Sequence, residues 1–218
     1  MSIRAHFDDE LSFLNTELIK MGALCERAVS VALDVFFTHN RELAKAAQRL
    51  EKEIDAKERD IEDLCMKLIL RQQPVAGDLR LISSAIKMIS DMERIGDQAQ
   101  DIADIAVNIN DTELENRIHI KAMSETALKM VTKSVDSFVQ KDMSLAESVI
   151  AMDDEVDSGF DKIKNELIAA IDSNGLKSEE YIDILMIAKY IERIGDHAVN
   201  IAEWVEYSLT GEHRKEDI

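Results

Sequence analysis

Proline occurs once and glycine only seven times in these 218 residues, and aromatic residues make up 5 % of the chain. With so few turn formers the backbone has few places to reverse, which excludes folds built from many short strands. Cysteine is scarce as well. Cys25 and Cys65 stand apart in apolar-periodic stretches, in no metal-binding or redox spacing, and both read as reduced core thiols. Long apolar runs are missing: none approaches the roughly 18 residues of a membrane span, and the opening MSIRAHFDDE has no signal-peptide core. The expectation is a cytoplasmic protein that neither inserts in a membrane nor leaves by that route.

Positive charge is also in short supply, with 26 Lys and Arg against 44 Asp and Glu, a formal net charge of -18. Such a surface repels nucleic acid and anionic lipid, and no nucleic-acid partner is expected. It suits solubility, cations or basic protein patches. No Ser/His/Asp arrangement, phosphate-cradling glycine loop or dinucleotide fingerprint occurs, and His6, His39, His119, His197 and His213 are scattered. Nothing in the sequence asks for an enzyme.

What the chain does have is 46 % apolar and 32 % charged residues in helical periodicity. The punctuation predicts six long helices, over Ile3 to Thr38, Asn40 to Gln73, Asp78 to Asn108, Thr112 to Val139, Asp142 to Asp172 and Ser178 to Ser208. Asn40, Asp78, Asp142 and Ser178 are the expected caps, and Pro74 stops the second helix. Each helix would be a rod about 45 Å long.

An internal repeat accounts for the number six. Met92 to Asp104 reads MERIGDQAQDIAD and Ile191 to Glu203 reads IERIGDHAVNIAE, identical at 8 of 13 positions at an offset of 99. Upstream the offset is 102, placing Val29, Asp34 and Phe36 on Val131, Asp136 and Phe138, and Glu51 to Asp55 on Asp153 to Asp157. The second half loses three residues in the loop where Ser173-Asn174-Gly175 replaces the stretch around Pro74. Ala85, Met88, Met92, Ile95, Ala99, Ile102 and Ala106 repeat at alternating spacings of three and four, as do Ile184, Ile187, Ile191, Ile194, Ala198, Ile201 and Val205. Such seams mean long helices in coiled-coil-like contact. The expected fold is all-α: two tandem, internally repeated antiparallel three-helix bundles, over residues 1–109 and 110–210, with 211–218 as a flexible tail.

On a helical wheel with Met92 at zero, the third-helix seam centres near 310°, while Glu93, Asp97 and Asp101 fall at about 100°, 140° and 180°. Glu192, Asp196 and Asn200 repeat these places in the sixth helix. The second and fifth helices add Glu51 with Asp55, and Asp153 with Asp157. Chance alone supplies about nine acid pairs four residues apart in so acidic a chain. The signal is the recurrence of both pairs at matching register in the two halves, although a duplicated solvated face would also copy its acids. Like charges four apart cost about 0.2 to 0.5 kcal/mol each, which weighs against a purely solvated role. Paired carboxylates from neighbouring helices suit hard cations such as Mg²⁺, Ca²⁺, Mn²⁺ or iron, and Zn²⁺ less naturally without His or Cys. His197 has only Gln98 as counterpart. The stripe is expected to point outward, so binding outranks catalysis. Gly96 and Gly195 either allow close helix approach or clear space beside an ion.

The tract from Leu70 to Arg80, LRQQPVAGDLR, together with Glu93-Arg-Ile-Gly-Asp97 and Glu192-Arg-Ile-Gly-Asp-His-Ala-Val-Asn-Ile-Ala202, closely resembles the PhoU family of bacterial phosphate transport regulators. The resemblance implies a negative regulator of phosphate uptake and of phosphate-regulon signalling. Its partners would be the ATPase subunit of the phosphate ABC transporter and a membrane sensor histidine kinase. It also implies a homodimer and multinuclear metal clusters on surface carboxylate pairs. By position the ligands would be Glu51, Asp55, Glu93, Asp97 and Asp101 in the first bundle, and Asp153, Asp157, Glu192, Asp196 and Asn200 in the second. The alternative readings are a metal-buffering or metalloenzyme carboxylate bundle, and a plain coiled-coil scaffold with a solvated acid face.

Overall fold

The computed structural model describes residues 3–72, 74–109, 119–174 and 178–214. Six helices account for nearly all of them: α1 (Ile3–Thr38), α2 (Arg41–Gln72), α3 (Ala76–Ala106), α4 (Ile120–Gln140), α5 (Met143–Asn174) and α6 (Ser178–Thr210). No strand occurs among the described residues. The heptad prediction holds in full, since every seam residue it named on α3 and α6 is buried. Cys25 and Cys65 are buried free thiols. Cys25 Sγ donates to the Met92 carbonyl at 3.3 Å, and burial pushes the Cys65 thiol up to about 12.

The two α1–α2-type turns show the repeat at backbone level. His39 and Lys141, 102 residues apart, both take left-handed conformations (φ 52° and 54°), and each is followed by a capping residue. Asn40 Oδ1 accepts the Glu42 N–H at 2.9 Å and Asp142 Oδ1 accepts the Leu145 N–H at 3.0 Å. Asp78 is not the cap it was expected to be. The N-cap of α3 is Val75, with extended backbone and no side-chain cap bond, and Asp78 lies in the first turn, where its charge favours the helix dipole. Residues 110–118, where the fourth helix was expected to begin, lie outside the described residues, and α4 starts at Ile120. Glycine ends α6: Gly211 (φ +81°) donates its N–H to the Tyr207 carbonyl at 2.8 Å. Residues 211–214, expected in the tail, lie back on α6, with His213 stacked on Tyr207 at 4.1 Å and Arg214 3.5 Å from Glu206.

Helices α1, α2 and α3 pack on one another, as do α4, α5 and α6, and the two units meet side by side through α3 against α6 and α1 against α4. Both meetings are antiparallel. Along α3 and α6, Arg80 lies against Gly211, Asp91 against Asn200, and Asp101 against Tyr190. Along α1 and α4, Gly22 faces Val135 while Asp34 and Phe37 share a groove with Lys121 and Ser124. Because the repeats are equivalent and the helices cross in opposite directions, an approximate two-fold axis relates the units. Subtracting 99 from Asn200 gives Asp101 and adding 99 to Asp91 gives Tyr190, so the two cross-seam pairs are images of each other.

Candidate metal centre

Each repeat brings its carboxylates together where α2 meets α3, or α5 meets α6, because both helices turn an i, i+4 acid pair toward the same groove. In the first repeat, oxygen atoms of Glu51, Asp55 and Asp97 come within 4.8 Å of one another, all three residues being half-buried. Close approach of the helices makes this convergence. A Cβ on Gly96 would meet Ile54 Cδ1 at 2.9 Å and Cγ2 at 3.3 Å, so only glycine lets α3 lie so near α2 one residue before Asp97.

Desolvation dominates the electrostatics. It raises Glu51 above the usual carboxylate range, with Asp55 and Asp97 adding like-charge repulsion. Glu93 is raised by burial and by Asp97 and Glu58, and Asp97 by burial against the opposing pull of Arg94. Arg59 reaches Asp55 at 3.6 Å from the rim of the groove.

In the second repeat burial pushes Asp153 up to about 6, helped by Asp157 and Asp196. Burial also raises Asp157 and Asp196, each with Glu192 as the strongest like charge acting on it. Asp153 Oδ1 is buried with no hydrogen-bond partner and lies 3.6 Å from where a Cβ on Gly195 would stand. An orphaned carboxylate oxygen beside a glycine and facing further carboxylates is a donor set that fits a hard cation. The two glycines thus resolve differently: Gly96 serves close packing and Gly195 borders the acid groove.

The third member of each stripe has another partner. Residues four apart on a helix drift by about 40°, so a stripe that begins facing α2 has turned toward the other repeat two steps later. Asp101 accepts a hydrogen bond from Tyr190, while Asn200 Nδ2 donates to Asp91 Oδ1 at 3.0 Å. His197 Nδ1 is 2.9 Å from the same oxygen. In the first repeat Glu51, Asp55, Glu93, Asp97 and Asp101 are all half-buried, whereas in the second Asp153 and Glu192 are half-buried and Asp157, Asp196 and Asn200 are exposed, so the α6 stripe points outward as expected and the α3 stripe does so less. Helical-wheel reasoning missed Asp91 and Tyr190, although both were visible as positions at which the two repeats differ.

The geometry defines a class of protein: an all-α, two-repeat bundle whose carboxylates pair across neighbouring helices in each repeat. The PhoU domain profile matches residues 18–106 and 120–205, and the chain belongs to the PhoU family. It is similar to a Clostridium acetobutylicum protein described as a phosphate-specific transport system accessory protein PhoU homolog, at 32 % identity over 210 residues, 95 % of this chain and 96 % of that one. An Aquifex aeolicus protein of the same description is 37 % identical over 185 residues, 84 % of each chain. The crystal structure of PhoU from Pseudomonas aeruginosa superposes with a TM-score of 0.85 at 32 % identity, covering 94 % of this chain and 100 % of that one.

Proposed function

We propose that this protein is a non-enzymatic negative regulator of phosphate uptake and of phosphate-regulon signalling. It acts in the cytoplasm as a metal-binding adaptor between the ATPase subunit of the phosphate ABC transporter and a sensor histidine kinase. The observation that carries the reading is similarity over nearly the whole length to proteins described as accessory to phosphate-specific transport. The net charge of -18 supports protein or cation partners over nucleic acid. No helix among the described residues is long and apolar enough to cross a membrane.

Glu51, Asp55, Glu93 and Asp97 would hold ions in the first repeat, and Asp153, Asp157, Glu192 and Asp196 in the second. Asp101 and Asn200 join each site to the seam. A bound ion, such as iron, Mg²⁺, Mn²⁺, Ca²⁺ or Zn²⁺, supplies the positive charge that the clustered carboxylates lack. The carboxylates in turn fix α2 against α3 and α5 against α6, so ion binding stiffens the faces offered to partners. The protein works as a homodimer.

Affinity purification of the tagged protein from phosphate-replete cells, with and without a chelator, tests the adaptor role. The transporter ATPase and the kinase should co-purify, less so with chelator or with Asp97→Ala and Asp196→Ala combined. Recovery of neither partner under any condition overturns it.

A further inference from the structure

Among the positions that distinguish the acid grooves of the repeats are Ser90 against Lys189, Glu58 against Phe160, and Arg59 against Asp161. In the first repeat, Ser90 on α3 donates its hydroxyl to Glu58 on α2 at 3.2 Å, and Glu58 adds negative charge beside Glu93. In the second, the residues at the same register are Lys189 and Phe160. Lys189 Nζ forms an ion pair with Glu192, whose side chain is only 14 % exposed. The same ammonium acts attractively on Asp157 and Asp196 and stands 5.4 Å from the centre of the Phe160 ring. The first groove therefore adds Glu58, with Arg59 at its rim, and the second adds Lys189 beside the Phe160 ring, with the exposed Asp161 at its rim. Among the described residues, only the first repeat gathers three carboxylates within 4.8 Å.

We propose that the two centres are inequivalent, and that Lys189 is a built-in counter-cation which makes the second a weaker metal site than the first. An ammonium among carboxylates does part of the neutralising that a metal ion would do, and it occupies the space and the Glu192 oxygen that the ion needs. Metal entry at the second centre requires Lys189 to give up Glu192. Phe160, whose ring the ammonium already meets at 5.4 Å, can retain it when Glu192 is given up. The cations at the first centre lie further out: Arg59, at 3.6 Å from Asp55, and Arg94, at 3.6 Å from Glu93, have side chains 65 % and 63 % exposed, against 40 % for Lys189. The protein then fills its centres in order, so that metal level, and not merely metal presence, sets its state.

This inference rests on the metal-binding reading above, and a titration with Mn²⁺ separates the two. Free Mn²⁺ is followed by electron paramagnetic resonance in metal-free wild-type protein and in Lys189→Ser, Lys189→Arg and Asp55→Asn variants, each checked by circular dichroism. The wild type should show two classes of site at least about tenfold apart in Kd. Lys189→Ser, which copies the residue of the first repeat, should tighten the weak class by about tenfold and leave the tight class in place. Lys189→Arg should keep the weak class weak, and Asp55→Asn should remove the tight class. Equal sites in the wild type, or a weak class unmoved by Lys189→Ser, overturn the inequivalence while leaving metal binding intact. Absence of binding in both the wild type and Lys189→Ser overturns the metal reading itself.

Discussion

Asn200 on α6 donates a hydrogen bond to Asp91 on α3 across 3.0 Å, joining two helices that belong to different repeats. His197, one turn away, approaches the same oxygen at 2.9 Å. The image of this contact under the approximate two-fold is the bond from Tyr190 to Asp101. The seam is thus fastened twice by polar pairs of different chemistry at equivalent places, and each fastening lies at the end of a carboxylate stripe.

Removing Asp91 should loosen the seam. Asp91→Ala removes the acceptor of the partly buried His197 and of the exposed Asn200, and we expect a loss of about 1 kcal/mol in urea unfolding. Asp101→Ala, which removes the image contact, should cost less in the metal-free protein, because it also relieves repulsion from Asp97. Equal stability of Asp91→Ala and wild type would show that the seam is held by its apolar residues alone.

Clustered acids should make the metal-free protein more stable at mildly acidic pH. Asp153 titrates near 6 when folded against an ordinary 3.8, so between those values the folded state holds a proton that the unfolded chain releases. This contribution is complete below pH 3.8 and is lost as pH rises through about 6. Glu51, Glu93 and Asp97 are raised as well and act in the same direction. Thermal melts in chelator should therefore give a higher Tm at pH 5.5 than at pH 7.5, and a flat or opposite trend contradicts the burial of these groups. Metal affinity should run the other way, rising with pH as protons leave the ligands.

Neutralising one acid should stabilise the metal-free protein. Asp153→Asn keeps the shape of the side chain and removes repulsion from Asp157 and Asp196. A gain of about 1 kcal/mol, or about 2 to 4 °C in Tm, is expected in chelator. With metal present the same variant should gain less from added ions than the wild type does, as differential scanning fluorimetry would show.

The two helical glycines should answer differently to alanine. At Gly96 the new methyl meets Ile54 at 2.9 Å within a fully buried side chain, and overpacking of about 1 to 3 kcal/mol outweighs the helix propensity gained. At Gly195 the nearest atom is Val156 Cγ1 at 3.4 Å, an ordinary contact, so Gly195→Ala should be neutral or stabilising by up to about 1 kcal/mol. A comparison of chemical denaturation midpoints reads both, and a Gly96→Ala as stable as Gly195→Ala would mean that α2 yields readily.

The sequence by itself determined the helices, the duplication, the apolar seams and the acid pairs, because each is written in local spacing. A 3–4 repeat such as Ala85 to Ala106 buries one face whatever lies opposite, and an offset of 99 needs no coordinates to be seen. Asn40 and Asp142 were legible as caps because capping depends on a neighbour two or three residues away. Asp78 was misplaced because a proline-led turn let Val75 start the helix without a side-chain cap. Only the tertiary structure decided how the bundles meet, since the α3–α6 and α1–α4 contacts join residues about a hundred positions apart and depend on which helix faces are left over after each bundle closes. That choice turned Asp101 and Asn200 toward the seam, and it gave Asp91 and Tyr190 a role. The Lys189–Glu192 pair was within reach of local spacing, three residues apart on one helix, but only the packing of α5 against α6 brought Asp157 and Phe160 to the same ammonium, because those contacts depend on distance in space and not along the chain.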